Sequence, residues 1–154
     1  MELDKFARFA LLLWVITIAV FAWFFIRGNT TAGTDGRTAV ILQPGERDFV
    51  MKEMRGLLAA TQGMMEGASR GDIVRIAKAA RGAGMAGTAE VNPTLLTKLP
   101  IEFKRLGMSL HGDMDEIAKA AESGKPVPEL LQMTSDALVK CVACHSVWQI
   151  KVSN

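Results

Sequence analysis

From Phe9 to Ile26 the chain runs for 18 residues without a charge, closed by Arg8 on one side and Arg27 on the other. As a helix such a run rises roughly 27 Å at about 1.5 Å per residue, just enough to cross a bilayer. Phe6, Phe9, Trp14, Trp23, Phe24 and Phe25 lie mostly toward its two ends, where aromatic rings favour the headgroup region. The run is apolar on every face, so it lacks the polar stripe of a core helix. A cleaved signal peptide is the competing reading, with small residues at Thr30 to Gly33 as a cleavage region. The run exceeds the usual apolar length of such a peptide, however, and Arg27 follows it directly. Residues 1–27 are therefore expected to form an uncleaved transmembrane anchor. Lys5 and Arg8 ahead of the span favour a cytoplasmic N-terminus, which exports the rest of the chain. In a bacterium this places a single-pass protein in the inner membrane with its C-terminal domain in the periplasm.

Beyond the anchor the composition is unusual in one respect. The 154 residues are 49% hydrophobic, but of seven Phe and three Trp only Phe49, Phe103 and Trp148 lie after position 28. The exported part is short of large side chains for a packed core. With 18 basic and 16 acidic residues the net charge is only +2, without the cationic footprint of a nucleic-acid binder.

Residues 28–45, rich in Gly and Thr, read as an extended tether, and the apolar run Ala39–Leu42 within it is too isolated to make a sheet. Helical periodicity follows. Met51, Met54, Leu58, Thr61, Met65 and Ala68 recur at spacings of three and four, and Asp72 is placed to cap a second helix through Ile73, Ile76, Ala77 and Ala80. The chain breaks at GAGMAG, Asn92-Pro93 and Pro100. A third segment carries Phe103, Leu106, Leu110, Met114, Ile117 and Ala121 and ends at Ser123-Gly124; a fourth runs from Pro126 past Cys144. The expected fold is all-α: one transmembrane helix, a tether, and an antiparallel four-helix bundle over residues 46–154.

Both cysteines fall in Cys141-Val142-Ala143-Cys144-His145, the C-x-x-C-H pattern of c-type haem attachment. Two thiols three residues apart on a helical turn can form thioethers to both vinyl groups of one haem, and the adjacent imidazole of His145 then reaches the iron. A dithiol redox site needs only C-x-x-C and normally opens a helix in a βαβ setting. A zinc site needs a fourth ligand, and His111 is the one other Cys or His in the chain. Nine residues follow His145 and none is Met or His, so a second axial ligand from this chain must come from upstream.

With its haem motif near the C-terminus of four helices, the region from about residue 46 to 151 resembles the cytochrome c′ family, the four-helix-bundle class of c-type cytochromes. In that family the first helix carries an Arg, four residues later the side chain facing the distal side of the haem, and an apolar residue three further on; Arg47, Met51 and Met54 stand at those intervals. The resemblance implies that Met51 is the distal ligand, as in the low-spin electron-transfer relatives, with Met54 the lesser candidate and Arg47 beside a haem propionate. A thioether is a soft ligand that favours ferrous iron. Met51 also lies on an apolar stripe with Met54, Met64 and Met65, where methionine is ordinarily core filler. Phe103 and Trp148 are expected to pack on the haem or in the bundle. His111 is expected to face solvent, and Asp113, Asp115 and Glu116 to form a wet helix face.

The expected function is a non-enzymatic, membrane-anchored electron carrier with one covalent haem c, serving redox-partner proteins such as other cytochromes or a membrane oxidoreductase. The alternatives are an NO- or CO-binding haem protein with an open or Met-displaceable site, and a haem subunit of a larger membrane oxidoreductase. The resemblance also implies a homodimer through the first two helices. The small residues Ala77, Ala80, Ala83 and Gly84 would permit such close approach.

Overall fold

The computed structural model describes residues 4–153. Its first element, α1 (Lys5–Arg27), is the apolar run, exposed throughout and with a mean hydropathy of 2.6. It is long and apolar enough to cross a membrane or to serve as a signal sequence. It ends at Gly28, whose φ of +65° and ψ of −168° fall where glycine alone is comfortable. A Cβ there would stand 2.5 Å from the Lys98 carbonyl oxygen and 2.6 Å from the Pro100 nitrogen.

The segment expected to be a free tether is a sheet. β1 (Thr30–Ala32) pairs antiparallel with β2 (Thr38–Leu42), and β2 pairs parallel with β3 (Trp148–Val152). The register sets Thr38 opposite Trp148 and Leu42 opposite Val152. Ala39–Leu42 is thus paired on one side by the nearby β1 and on the other by a strand from the far end of the chain. Consecutive residues Ala39 and Val40 are both wholly buried, so both faces of β2 are covered, as a central strand of this kind requires. Asp35-Gly36, with Gly36 at φ +86°, lies in the connection between β1 and β2.

Between β2 and β3 lie five helices: α2 (Pro44–Arg70), α3 (Ile73–Gly82), α4 (Pro93–Lys98), α5 (Ile101–Glu122) and α6 (Val127–Val147), with a 3-10 turn at Met85–Glu90. The four expected amphipathic segments correspond to α2, α3, α5 and α6. α2 begins earlier than its apolar stripe because Pro44 suits a first turn and Gln43 and Glu46 form a reciprocal cap, the Gln43 amide donating to Glu46 Oε2 at 2.8 Å. Asp72 caps α3, its carboxylate accepting from the Arg75 amide at 2.9 Å. Asn92 caps the unexpected α4 in the same manner, accepting from the Thr94 amide at 2.8 Å.

Two hydrophobic clusters result. The first gathers Leu57, Met64, Ile76, Leu110, Met114, Ile117 and Leu130 with many alanines from α2, α3, α5 and α6. No aromatic ring belongs to it among the described residues. The second joins Val40, Leu42, Val50, Leu95 and Leu99, and all three remaining aromatics, Phe49, Phe103 and Trp148, pack there. The small residues Ala77, Ala80, Ala83 and Gly84 are buried inside the chain rather than displayed for a second copy. A Cβ at Gly84 would overlap the Asp115 carboxylate, which explains the glycine.

Candidate functional site

α6 carries the C-x-x-C-H motif on its last two turns, where positions three and four apart share a face. Both thiols are free and half-buried, whereas His145 is exposed in the final turn. Burial pushes both thiols above the usual cysteine value, most directly by desolvation, with Cys141 adding repulsion at Cys144. The thiolate-stabilising setting of a dithiol oxidoreductase, at a helix N-terminus or beside a cation, is not what surrounds them. Among the described residues no three His, Cys, Asp or Glu side chains converge as a metal cage would.

The end of α6 is held by a residue the sequence reading did not single out. Arg37, just ahead of β2, donates from Nη1 to the carbonyl oxygens of His145 at 3.2 Å and Trp148 at 3.4 Å. These are helix-end carbonyls that lack an intrahelical partner. Its Nε and Nη2 grip Asp35 Oδ2 at 2.8 and 2.6 Å, and Gln149 Nε2 donates to Asp35 Oδ1 at 3.0 Å. The Arg37 hydrogen bonds hold the Asp35 carboxyl below its ordinary range. The D-G dipeptide and the alternation of Trp148, Ile150 and Val152 with Gln149 and Lys151 were the signals for this strap.

Two adjoining cavities, about 240 and 410 Å³, open beside the motif. Met51, Met54, Phe103, Cys144 and His145 border both. Arg47 and Trp148, with Arg37, complete the smaller one, and Cys141 lines the larger with Leu57, Leu110 and Leu138. All eight residues nominated as haem-binding therefore surround this space. Met51 and Met54 are half-buried on α2, and Arg47 is exposed, its Nη1 2.9 Å from Asp48 Oδ1. The Phe103 and Trp148 rings meet edge to face with centroids 6.3 Å apart.

The larger cavity falls in the ordinary size range of cofactor sites, roughly 300–1,000 Å³, and the smaller extends it. Their chemistry fits a haem c: thiols for two vinyl groups, an imidazole and two thioethers for the iron, apolar walls for the macrocycle, and the exposed Arg47 guanidinium at one end for a carboxylate.

His111 is not solvent-facing. It is half-buried, borders the larger cavity, and its Nδ1 lies 2.7 Å from the Ala83 carbonyl oxygen. That oxygen can only accept, so Nδ1 carries the hydrogen. The acidic cluster is likewise more than a wet face. Asp115 accepts from the Met85 amide at 2.9 Å and pairs with Arg81 at 3.1 Å, and the Met85 bond above all lowers its pKa. Asp113 pairs with Lys140 on α6 at 2.5 Å, whereas Glu116 is exposed.

Comparison of the chain with models of protein families, with characterised proteins and with solved structures finds no match.

Proposed function

We propose that the chain is a membrane-anchored c-type cytochrome that passes single electrons on the exported side of the membrane, with its four amphipathic helices forming a bundle of the cytochrome c′ kind. One observation carries the reading: the C-x-x-C-H motif and every other residue nominated from sequence border one pair of adjoining cavities beside the two thiols. Cys141 and Cys144 would hold the haem through thioethers, His145 would be the proximal ligand and Met51 the distal one. The group supplies one-electron chemistry, its iron alternating between ferric and ferrous states.

The chain's own contribution is positional. Arg37 fixes the carbonyls around His145, and so the turn from which the imidazole projects. Met51 and Met54 set soft, polarisable sulfur against the cavity, and the Phe103–Trp148 pair walls one edge. Arg47, exposed and paired with the neighbouring Asp48, borders the smaller cavity, where its guanidinium can turn to a carboxylate, while Arg37 stays committed to Asp35 and the helix-end carbonyls. With His145 and Met51 both held by packed helices, little rearrangement would accompany a change of redox state.

The optical spectrum of the membrane-expressed full chain tests the ligand set. His/Met ligation predicts a low-spin ferric form with a methionine–iron charge-transfer band, and a reduced form unaltered by CO. Met51→Ala is expected to abolish that band and admit CO. A six-coordinate low-spin spectrum retained in Met51→Ala removes Met51 as ligand, and a high-spin wild type that binds CO favours the gas-binding alternative.

A further inference from the structure

The junction between α1 and the folded domain contains no slack. Asn29, two residues past the end of α1, donates from its backbone to the Lys98 carbonyl at 2.7 Å, and exchanges bonds with Ile41: its side chain donates to the Ile41 carbonyl at 3.0 Å and its carbonyl accepts the Ile41 amide at 2.8 Å. β1 starts at the next residue. An 18-residue tether could reach roughly 60 Å when extended; here Gly28 sits directly on Lys98–Pro100.

One contact sets the height of the domain. The Lys104 ammonium lies 3.8 Å from the centroid of the Phe25 ring and 3.2 Å from the Leu96 carbonyl oxygen. Phe25 belongs to the uncharged run itself, in the aromatic group at its exit, with Arg27 stacked on Trp23 at 5.5 Å. Rings and cations at such an exit occupy the headgroup layer. Whatever touches Phe25 is at that layer too, which includes α4 and the start of α5. The exposed side chains there include apolar Leu96 and Met108 and the Glu102–Arg105 ion pair, beside half-buried Lys104 and exposed Arg27, which leave cations in excess. This composition suits a phospholipid surface, with stems in the interface and charges at the phosphates.

We propose that α4 and the first two turns of α5 form a lipid-contacting face seated on the headgroups of the bilayer that α1 spans. The inference rests on reading α1 as a retained membrane span. It has a functional corollary: Phe103 adjoins Lys104 in sequence and Trp148 packs on Phe103, so the cavity wall lies within about one helix diameter, ~10 Å, of the headgroups. Electron exchange then occurs with centres exposed at the membrane surface.

The test uses the full chain reconstituted in vesicles of phosphatidylethanolamine and phosphatidylglycerol, with an environment-sensitive fluorescent amino acid placed singly at Leu96, Met108 or, as a distant control past the end of α5, Lys125. Headgroup spin-labelled lipid is expected to quench the first two positions several-fold more than the third. A flexible Gly-Ser insertion after Arg27 should bring all three to the same level, and Lys104→Glu should weaken quenching at Leu96 while Lys104→Arg restores it. Equal quenching at all three sites in the unmodified chain overturns the seating. Alkaline carbonate separates the two failures: a chain released by it refutes the span and the seating together, whereas a retained chain with an unquenched Leu96 probe refutes the seating alone.

Discussion

The two hydrophobic clusters are built by different means and meet at the cavities. The helical one is alanine-rich and ring-free among the described residues, assembled from α2, α3, α5 and α6. The other is sheet-based, holds all three aromatics beyond α1, and depends on pairing residues 38–42 with residues 148–152. Met54 packs against both, Cys141 against the first, and Met51 and Trp148 against the second. A ligand held between them would be gripped by helices on one side and by the strap around β3 on the other. The aromatic shortage beyond α1 is thus a division: flat side chains are concentrated where a flat cofactor would need an edge.

The comparison can be broken most strongly inside each cluster. Ile117→Ala and Leu42→Ala each remove a side chain that is 1% exposed, and each is expected to cost about 2–5 kcal/mol. Thermal unfolding checks this; if the clusters are mechanically joined through Met54, both variants melt in one transition, whereas two separate transitions in Leu42→Ala would show them to be independent. A smaller effect is expected at the seam with α1. Gly28→Ala forces a side chain into a glycine-only conformation, at about 1–3 kcal/mol, and against Lys98 and Pro100. Limited proteolysis should then cut between Arg27 and Thr38 while α2–α6 stay resistant.

The smallest effect is electrostatic. Glu46 accepts from Lys98 at 2.6 Å and from the Gln43 amide, and these bonds, the Lys98 one foremost, hold its carboxyl below the ordinary glutamate value. A lowered folded-state pKa means that this stabilisation is present above the unfolded glutamate pKa, near 4.3, and is lost as pH falls through the folded value. Melting temperature should therefore fall less steeply below about pH 4 in Glu46→Gln than in the unaltered chain. Parallel curves would remove Glu46 from the acid response.

What the sequence disclosed and what it concealed divide along the same line. Local order was legible: the apolar run of α1, the stripe of α2, the Asp72 cap and the end of α5 at Ser123 each depend on residues close in the chain. The sheet was concealed because β1 is only three residues long and the other partner of Ala39–Leu42 lies more than a hundred residues away, where Trp148–Val152 looked like a tail behind the cysteines. Arg37 was concealed for the same reason, since its role exists only once β2 and β3 are side by side. The cysteine motif and the stripe with Met51 and Met54 were visible because spacing alone defines them, and they border common space because α2 and α6 meet in the helical cluster. His111 shows the limit of reading a face from periodicity: one residue off the stripe, it still turns a ring nitrogen toward Ala83.

The central claim is covalent haem at Cys141 and Cys144, and the mass of the chain, expressed with export and haem-attachment machinery and measured after denaturation, tests it most directly. A mass increased by one haem, with the residual red chromophore surviving denaturation and lost in Cys141→Ser/Cys144→Ser, is the predicted result. An unmodified mass with two free thiols, under conditions in which a control c-type cytochrome is loaded, would contradict it.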